Sequence, residues 1–223
     1  MLSVLILAAT VGGLAILLIV RLWGVLGSHH ITPRESLRLL IVAGSGEICN
    51  HISGHTTEIL RLVGSLSSAY SPRHYVIAES DEMSAKKIHS LELARAQSDS
   101  TTENTNYHLH RIPRSREVRQ SWLSSVFTTL YSMWFSFPLA LRIKPDLVLC
   151  NGPGTCVPIC VSALLLGILG IKKVIIVYVE SICRVETLSL SGKILRHFSD
   201  YFIVQWPTLK EKYPKSVYLG RIV

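Results

Sequence analysis

Three short segments of this 223-residue chain combine small residues with groups able to hold a phosphate or move a proton. Gly44, Ser45 and Gly46 follow the apolar run from Leu37 to Ala43, and Gly54, His55, Thr56 and Thr57 open the amphipathic stretch behind them. Asn151, Gly152, Pro153, Gly154 and Thr155 follow a second apolar run, and Glu180 with Ser181 ends a third. A glycine loop that opens a helix offers free backbone amides and the positive end of the helix dipole, which together favour a phosphate. Thr56 or Thr57 can cap such a helix. A plain strand-to-helix turn has the same composition, so each loop taken alone leaves both readings open, and His55 fits a helix-start histidine as well. Glu180 fits either a cleft carboxylate or a structural group that caps the next turn or pairs with Arg184. Arg114 and Arg116 fit either phosphate or headgroup attraction or a solvated basic loop.

The elements that must position these residues alternate regularly. Leu37–Ala43 reads as a buried strand, Thr56–Ser68 as a helix with Ile59, Leu60, Leu62, Val63 and Leu66 facing inward, and His74–Ala78 as the next strand. A helix over Ser84–Ala96, a polar loop over Gln97–Asn106 and a strand over Tyr107–Ile112 continue the pattern. Trp122–Ile143 is a long apolar helix in which Pro138 predicts a kink or stop. Leu147–Cys150, a helix from Val157, the strand Val174–Val179 and short strands over Tyr201–Val204 and Val217–Leu219 complete it. The fold class is therefore α/β, a single Rossmann-like doubly wound parallel sheet with ligands at the carboxyl ends of its strands.

The chain carries a formal net charge of +8, with 48% hydrophobic and only 17% charged residues, which excludes a largely disordered protein. Leu2–Val20 contains no charged residue and is long enough as a helix to cross a bilayer. A cleaved signal peptide would need basic residues before a shorter apolar core, so an uncleaved anchor is the expectation. Arg21, Arg34 and Arg38 follow the run, and the positive-inside rule then puts the body of the protein on the cytosolic side. Residues 1–27 are read as a lumenal N-terminus and anchor, 28–36 as a linker, and 37–223 as a cytosolic α/β domain. Val157–Ile171 is too short for a second span and fits a core helix or one partly at the membrane surface.

Known site patterns exclude several chemistries. Gly44 and Gly46 are followed by Cys49 where a dinucleotide-binding loop needs a third glycine, although Glu79 sits where a ribose-binding acid could. Gly192-Lys193 lacks both the upstream glycine and the hydroxyl of a nucleotide-binding P-loop. The five cysteines form no C-x-x-C pair, so no metal site and no disulfide framework is expected, and no cofactor is expected either. The basic charge suits an anionic membrane surface better than a nucleic acid, because no basic motif interleaved with aromatics is present.

Together, VAGSG, GHTTEIL, SPRHYVIA, RIPRSREV, KPDLVLCNGPGTCVP, KKVIIVYVES and DYFIVQWP, behind an apolar N-terminus, resemble one family along nearly the whole chain. It is the membrane-anchor subunit family of the UDP-N-acetylglucosamine transferase that adds the second sugar to dolichyl diphosphate N-acetylglucosamine. That family is similar to the amino-terminal, acceptor-side half of GT-B glycosyltransferases such as MurG. The resemblance implies a non-catalytic anchor at the endoplasmic reticulum, recruiting a soluble UDP-GlcNAc-binding catalytic subunit in the second step of lipid-linked oligosaccharide synthesis for N-glycosylation. It implies that no activity comes from this chain alone, consistent with a length too short for two α/β domains. It assigns the acceptor diphosphate to Gly44, Ser45, Gly46, Gly54, Asn151, Gly152, Gly154 and Thr155. His55 and Glu180 match positions facing the reacting groups. The exposed-looking tail, with Tyr218, Leu219, Ile222 and Val223, is the expected partner surface. An adaptor without an acceptor site, or a membrane-anchored dinucleotide oxidoreductase, are the alternative functions. One departure stands out: Glu47–Ser53 interrupts the family's continuous glycine loop and brings a carboxylate into it.

Overall fold

The computed structural model describes residues 2–27, 36–44, 54–98, 106–116 and 120–223. Ser45, Gly46, the inserted Glu47–Ser53 and most of the linker therefore lie outside the described residues.

Strand β1 (Leu39–Val42) is buried on both faces, as its unbroken apolar run requires of a central parallel strand. It pairs in parallel with β2 (Arg73–Ala78) on one side and with β4 (Leu147–Asn151) on the other. With β3 (Tyr107–Ile112), β5 (Ile175–Val179), β6 (Tyr201–Val204) and β7 (Val217–Tyr218), the sheet has the order β3-β2-β1-β4-β5-β6-β7. The order reverses direction between β1 and β4, and right-handed crossovers then put successive helices on opposite faces. Helices α2 (His55–Gly64) and α3 (Glu82–Ser98) cover one face, where Ile59, Val63 and Ile88 pack on Leu39, Ile41, Tyr75 and Ile77. The other face carries α4 (Trp122–Ile143), α5 (Cys156–Ile168), α6 (Leu190–Leu195) and α7 (Pro207–Lys212). There Ala140, Ile159, Ala163, Leu195 and Leu209 pack on Leu40, Val42, Val148 and Tyr178.

Helix α1 (Leu2–Gly27) has an 18-residue window, Thr10–Gly27, that is long and apolar enough to cross a membrane and is unburied by the rest of the chain. Its last turns dock on the domain: Leu22, Val25 and Leu26 pack against the core under α5. Gly167 makes that approach possible, since a Cβ there would stand 3.0 Å from Val25 Cγ1. Helix α5 is thus sandwiched between α1, α4 and the sheet, which explains why so apolar a segment is covered by its own protein. Cys150 and Cys160 lie 3.5 Å apart, sulfur to sulfur, as free buried thiols.

Of the two outcomes expected at Pro138, a kink or a stop, the stop does not occur, and α4 continues to Ile143. The proline sits on the exposed side of the helix, where the carbonyl left without a donor is not sealed in the core. Lys144, in the left-handed conformation, ends the helix by donating its N–H to the Ala140 carbonyl. Away from the cleft, β2 is locked to α3 by a buried network: the Arg73 guanidinium donates to both Glu92 oxygens at 2.9 and 2.7 Å, and the Tyr75 hydroxyl donates to the same carboxylate.

Candidate functional site

The carboxyl ends of β1 and β4 bring the two glycine loops into contact. Gly44 is buried, and a Cβ on it would meet Pro153 at 3.1 Å and the Thr155 hydroxyl at 3.7 Å. Gly152 has φ +73°, the left-handed conformation that glycine adopts without strain, and any side chain there would overlap the His55 ring. Gly154 faces the loop after β3, where an added Cβ would come 3.2 Å from Ser115 Oγ. His55 is the first residue of α2, with Gly54 as its extended N-cap. The two glycine loops and the start of α2, expected from the sequence to converge, are thus in contact at the carboxyl ends of β1 and β4.

A carboxylate that sequence reasoning missed organises it. Glu58, one turn into α2 and 2% exposed, accepts from Asn151 Nδ2 at 3.0 Å and from Ser181 Oγ at 2.8 Å. Glu58 thus takes the N–H₂ end of the Asn151 amide and leaves Asn151 Oδ1 without a partner in the protein. Its partners lie 93 and 123 residues along the chain, which is why no local pattern announced it. Burial lowers the His55 imidazole below its ordinary value, opposed by the Glu58 carboxylate and the Asn151 amide. The ring is accordingly neutral at pH 7 and able to accept a proton.

Four buried polar atoms at this cleft have no hydrogen-bond partner in the protein: His55 Nδ1, Asn151 Oδ1, Thr155 Oγ1 and Ser115 Oγ. Ser115 is 1% exposed, Asn151 0% and Thr155 4%. Buried groups of this kind are ordinarily paired, and these four belong to residues around Gly44, Gly152 and Gly154. Two are hydroxyls that can donate to phosphate oxygens, and Asn151 Oδ1 can accept from a sugar hydroxyl or amide.

Glu180 stands apart from those atoms. It is fully buried at the end of β5 and accepts from Ser189 N and Ser189 Oγ, both at 3.1 Å, and from Ser181 N at 3.2 Å. Burial raises its pKa, and the Ser189 and Ser181 hydrogen bonds oppose that shift. Ser189 in turn caps α6 by accepting from Gly192 N at 2.9 Å. Gly192 is needed there, because a Cβ would overlap the Glu180 carboxylate. At the tail, Tyr218 and Leu219 are exposed, whereas Ile222 packs against the core and donates its N–H to Gln205 Oε1 at 3.3 Å. Val223 is half-buried.

The single doubly wound parallel sheet resembles one half of a GT-B-like fold. The crystal structure of MurG from Acinetobacter baumannii is similar, with a TM-score of 0.52 and 15% identity, over 76% of this chain and 42% of that one. The chain belongs to the Alg14 family: the profile described as oligosaccharide biosynthesis protein Alg14 like matches residues 39–222. Proteins named UDP-N-acetylglucosamine transferase subunit ALG14 from Mus musculus and Homo sapiens are 88% and 75% identical, each alignment covering 100% of both chains. The protein of that name from Yarrowia lipolytica is 39% identical, again over 100% of both.

Proposed function

We propose that this chain is the membrane-bound, acceptor-side subunit of a UDP-N-acetylglucosamine transferase at the endoplasmic reticulum. In this reading residues 1–27 anchor it with a lumenal N-terminus, 28–36 form a linker, and 37–223 form a cytosolic domain that docks a soluble donor-binding catalytic subunit. The reaction transfers GlcNAc from UDP-GlcNAc to dolichyl diphosphate N-acetylglucosamine. The acceptor hydroxyl attacks the anomeric carbon, the bond to UDP breaks, and a base takes the hydroxyl proton.

The observation that carries the acceptor role is the group of four unpartnered buried polar atoms around Gly44, Gly152 and Gly154. Thr155 and Ser115 donate to the diphosphate, aided by the main chain of the glycine loops, including Ser45, Gly46 and Gly54. Asn151 Oδ1, oriented by Glu58, orients the sugar. His55 is the base, and Glu180 acts from behind by holding Ser181 and Ser189. Holding the acceptor while the partner holds the donor turns an encounter of two reactants into one fixed geometry, a large part of the catalysis available to a split enzyme.

Partner docking is supported by topology. Every crossover helix after β3 lies on the α5 side, so among the described residues the opposite face of β4, β5 and β6 has no helix of its own beyond α2. Leu147, Val177 and Ile203 on that face are only partly buried, Ile222 of the tail packs with them, and Tyr218 and Leu219 before it are exposed; in this reading the partner takes this face and the tail, Val223 included.

The double variant Ser115→Ala, Thr155→Ala, assayed in the two-subunit complex, tests the acceptor role. Losing two hydrogen bonds to a charged group should raise the acceptor KM by roughly tenfold or more, leaving the UDP-GlcNAc KM unchanged. Unchanged acceptor KM in a stable complex would favour a pure membrane adaptor.

A further inference from the structure

The loop after β5 is clamped along its length. Ser181 Oγ donates to Glu58 Oε1 at 2.8 Å and Ile182 N to Glu58 Oε2 at 3.4 Å, so the buried carboxyl group that takes the Asn151 amide also holds the start of this loop. Cys183 N donates back to Ser181 Oγ at 3.3 Å and Arg184 N to the Ser181 carbonyl at 3.0 Å, closing a tight turn. From the other side, Trp206 Nε1 donates to the Ile182 carbonyl and Thr208 Oγ1 to the Val185 carbonyl, both at 2.7 Å. A loop pinned in this way presents its projecting side chain from a fixed place. That side chain is Arg184, which is exposed, and its guanidinium has no ion pair or hydrogen bond among the described residues. Other arginines are committed: Arg73 to Glu92, Arg95 to the Val63 and Leu66 carbonyls, Arg111 to Glu82.

We propose that Arg184 is a cation this chain brings to the reaction, its guanidinium taking two oxygens of a substrate diphosphate at the edge of the cleft beside His55. The proposal rests on the transferase reading above. Three observations carry it. The first is position: Ser181, where the turn begins, is bonded to Glu58, one turn along α2 from His55. The Arg184 charge accordingly reaches two buried groups, opposing protonation of His55 and favouring the ionised form of Glu180. The second is charge balance. Glu58 and Glu180 lie buried at 2% and 0% exposure, and the four unpartnered atoms of the cleft belong to His55, Asn151, Thr155 and Ser115, whose side chains bring no fixed positive charge. A diphosphate set over two carboxyl groups is stabilised by a cation at the rim. The third is chemistry, since a guanidinium presents paired N–H groups that match two phosphate oxygens.

Ser115 and Thr155 enter from the loops after β3 and β4, and Arg184 from the loop after β5, so a bound substrate is held from two flanks. Both substrates of the proposed reaction carry a diphosphate, the acceptor joined to dolichol and the donor to uridine. Kinetics separates the two sources.

The test compares wild type, Arg184→Gln, Arg184→Lys and the Ser115→Ala, Thr155→Ala double variant in the two-subunit complex. UDP-GlcNAc and the acceptor are each varied, and UDP is added as product inhibitor. Arg184→Gln should raise one of the two KM values by about tenfold to a hundredfold, the range for losing a hydrogen-bonded charge. A rise confined to the acceptor assigns Arg184 to the dolichyl diphosphate. A rise for UDP-GlcNAc, matched in the UDP inhibition constant, assigns it to the donor. Arg184→Lys keeps the charge without the paired N–H groups and should recover part of the loss. The acid limb of the rate should move to higher pH in Arg184→Gln and stay in place in Arg184→Lys, because only the first removes the charge that opposes His55 protonation. Changes below about threefold in both KM values and in the UDP inhibition constant, with an unmoved acid limb and a raised acceptor KM in the double variant, would overturn the Arg184 contact and leave the acceptor reading intact. No turnover by the wild-type complex would overturn the transferase reading and this proposal with it.

Discussion

His55→Gln is expected to lower the transfer rate of the two-subunit complex by about 10²–10⁴-fold, the range for loss of a positioned general base. Glutamine keeps a polar side chain at the start of α2 but cannot take the acceptor proton. The pH dependence carries the distinguishing information. Burial depresses the folded-state pKa of His55 below its ordinary 6.5, so the ring is neutral and active at pH 7 and is disabled only as the pH falls below that value. The sign for stability is the same: the fold opposes protonation, so the stability associated with the neutral ring is present above the unfolded pKa and lost as pH falls through the folded one. The wild-type rate should therefore show an acid limb below pH 6.5 that His55→Gln lacks. A histidine serving only to start the helix would give a loss of a few fold and an acid limb unchanged by the substitution.

Gly152→Ala is expected to reduce transfer by about a hundredfold, because a shift of roughly 1 Å at the reacting groups is enough for that loss. Two effects combine at this position. The φ of +73° disfavours any L side chain, by roughly 1–2 kcal/mol, and the new methyl group would occupy the space of the His55 ring. Either the ring swings away or the β4–α5 loop moves, and both outcomes change the placement of the imidazole against Asn151. The control is Gly64→Ala at the end of α2, where the nearest side-chain atom is 3.9 Å away and no positive φ is involved. The kinetic constants of both variants, measured in complexes matched for subunit content, check the expectation. Near-wild-type turnover by Gly152→Ala would show that His55 and the β4–α5 loop can separate without cost.

Much of this site is legible in the sequence because its parts are local. A glycine loop after an apolar run, followed by a helix start, announces a strand end and its ligand position with no knowledge of the rest of the fold. What joins the parts is not local. Glu58 looks like an ordinary polar residue beside the apolar stripe of α2, and only the assembled sheet brings Asn151 and Ser181 to it. Ser115 sits in a polar loop whose side chains have no periodicity, so nothing separates it from its neighbours until β3 packs beside the cleft. Glu180 is legible as a carboxylate on an apolar strand, but its partner Ser189 depends on α6, a six-residue helix too short to show a period. Helix α7 escapes for the same reason. In α4 apolar residues stand on both sides, Ala140 and Ile143 in the core and Leu123, Phe127, Leu130 and Trp134 exposed, so its pattern does not single out the buried face.

In the proposed function this chain supplies one side of a two-part active site at a membrane. Sugar transfer from UDP-N-acetylglucosamine to a dolichyl diphosphate N-acetylglucosamine analogue, in membranes holding this chain with and without the soluble donor-binding subunit, tests it most directly. The account predicts turnover only when both are present. Turnover by either protein alone, or no turnover from a stable complex of the two, would contradict it.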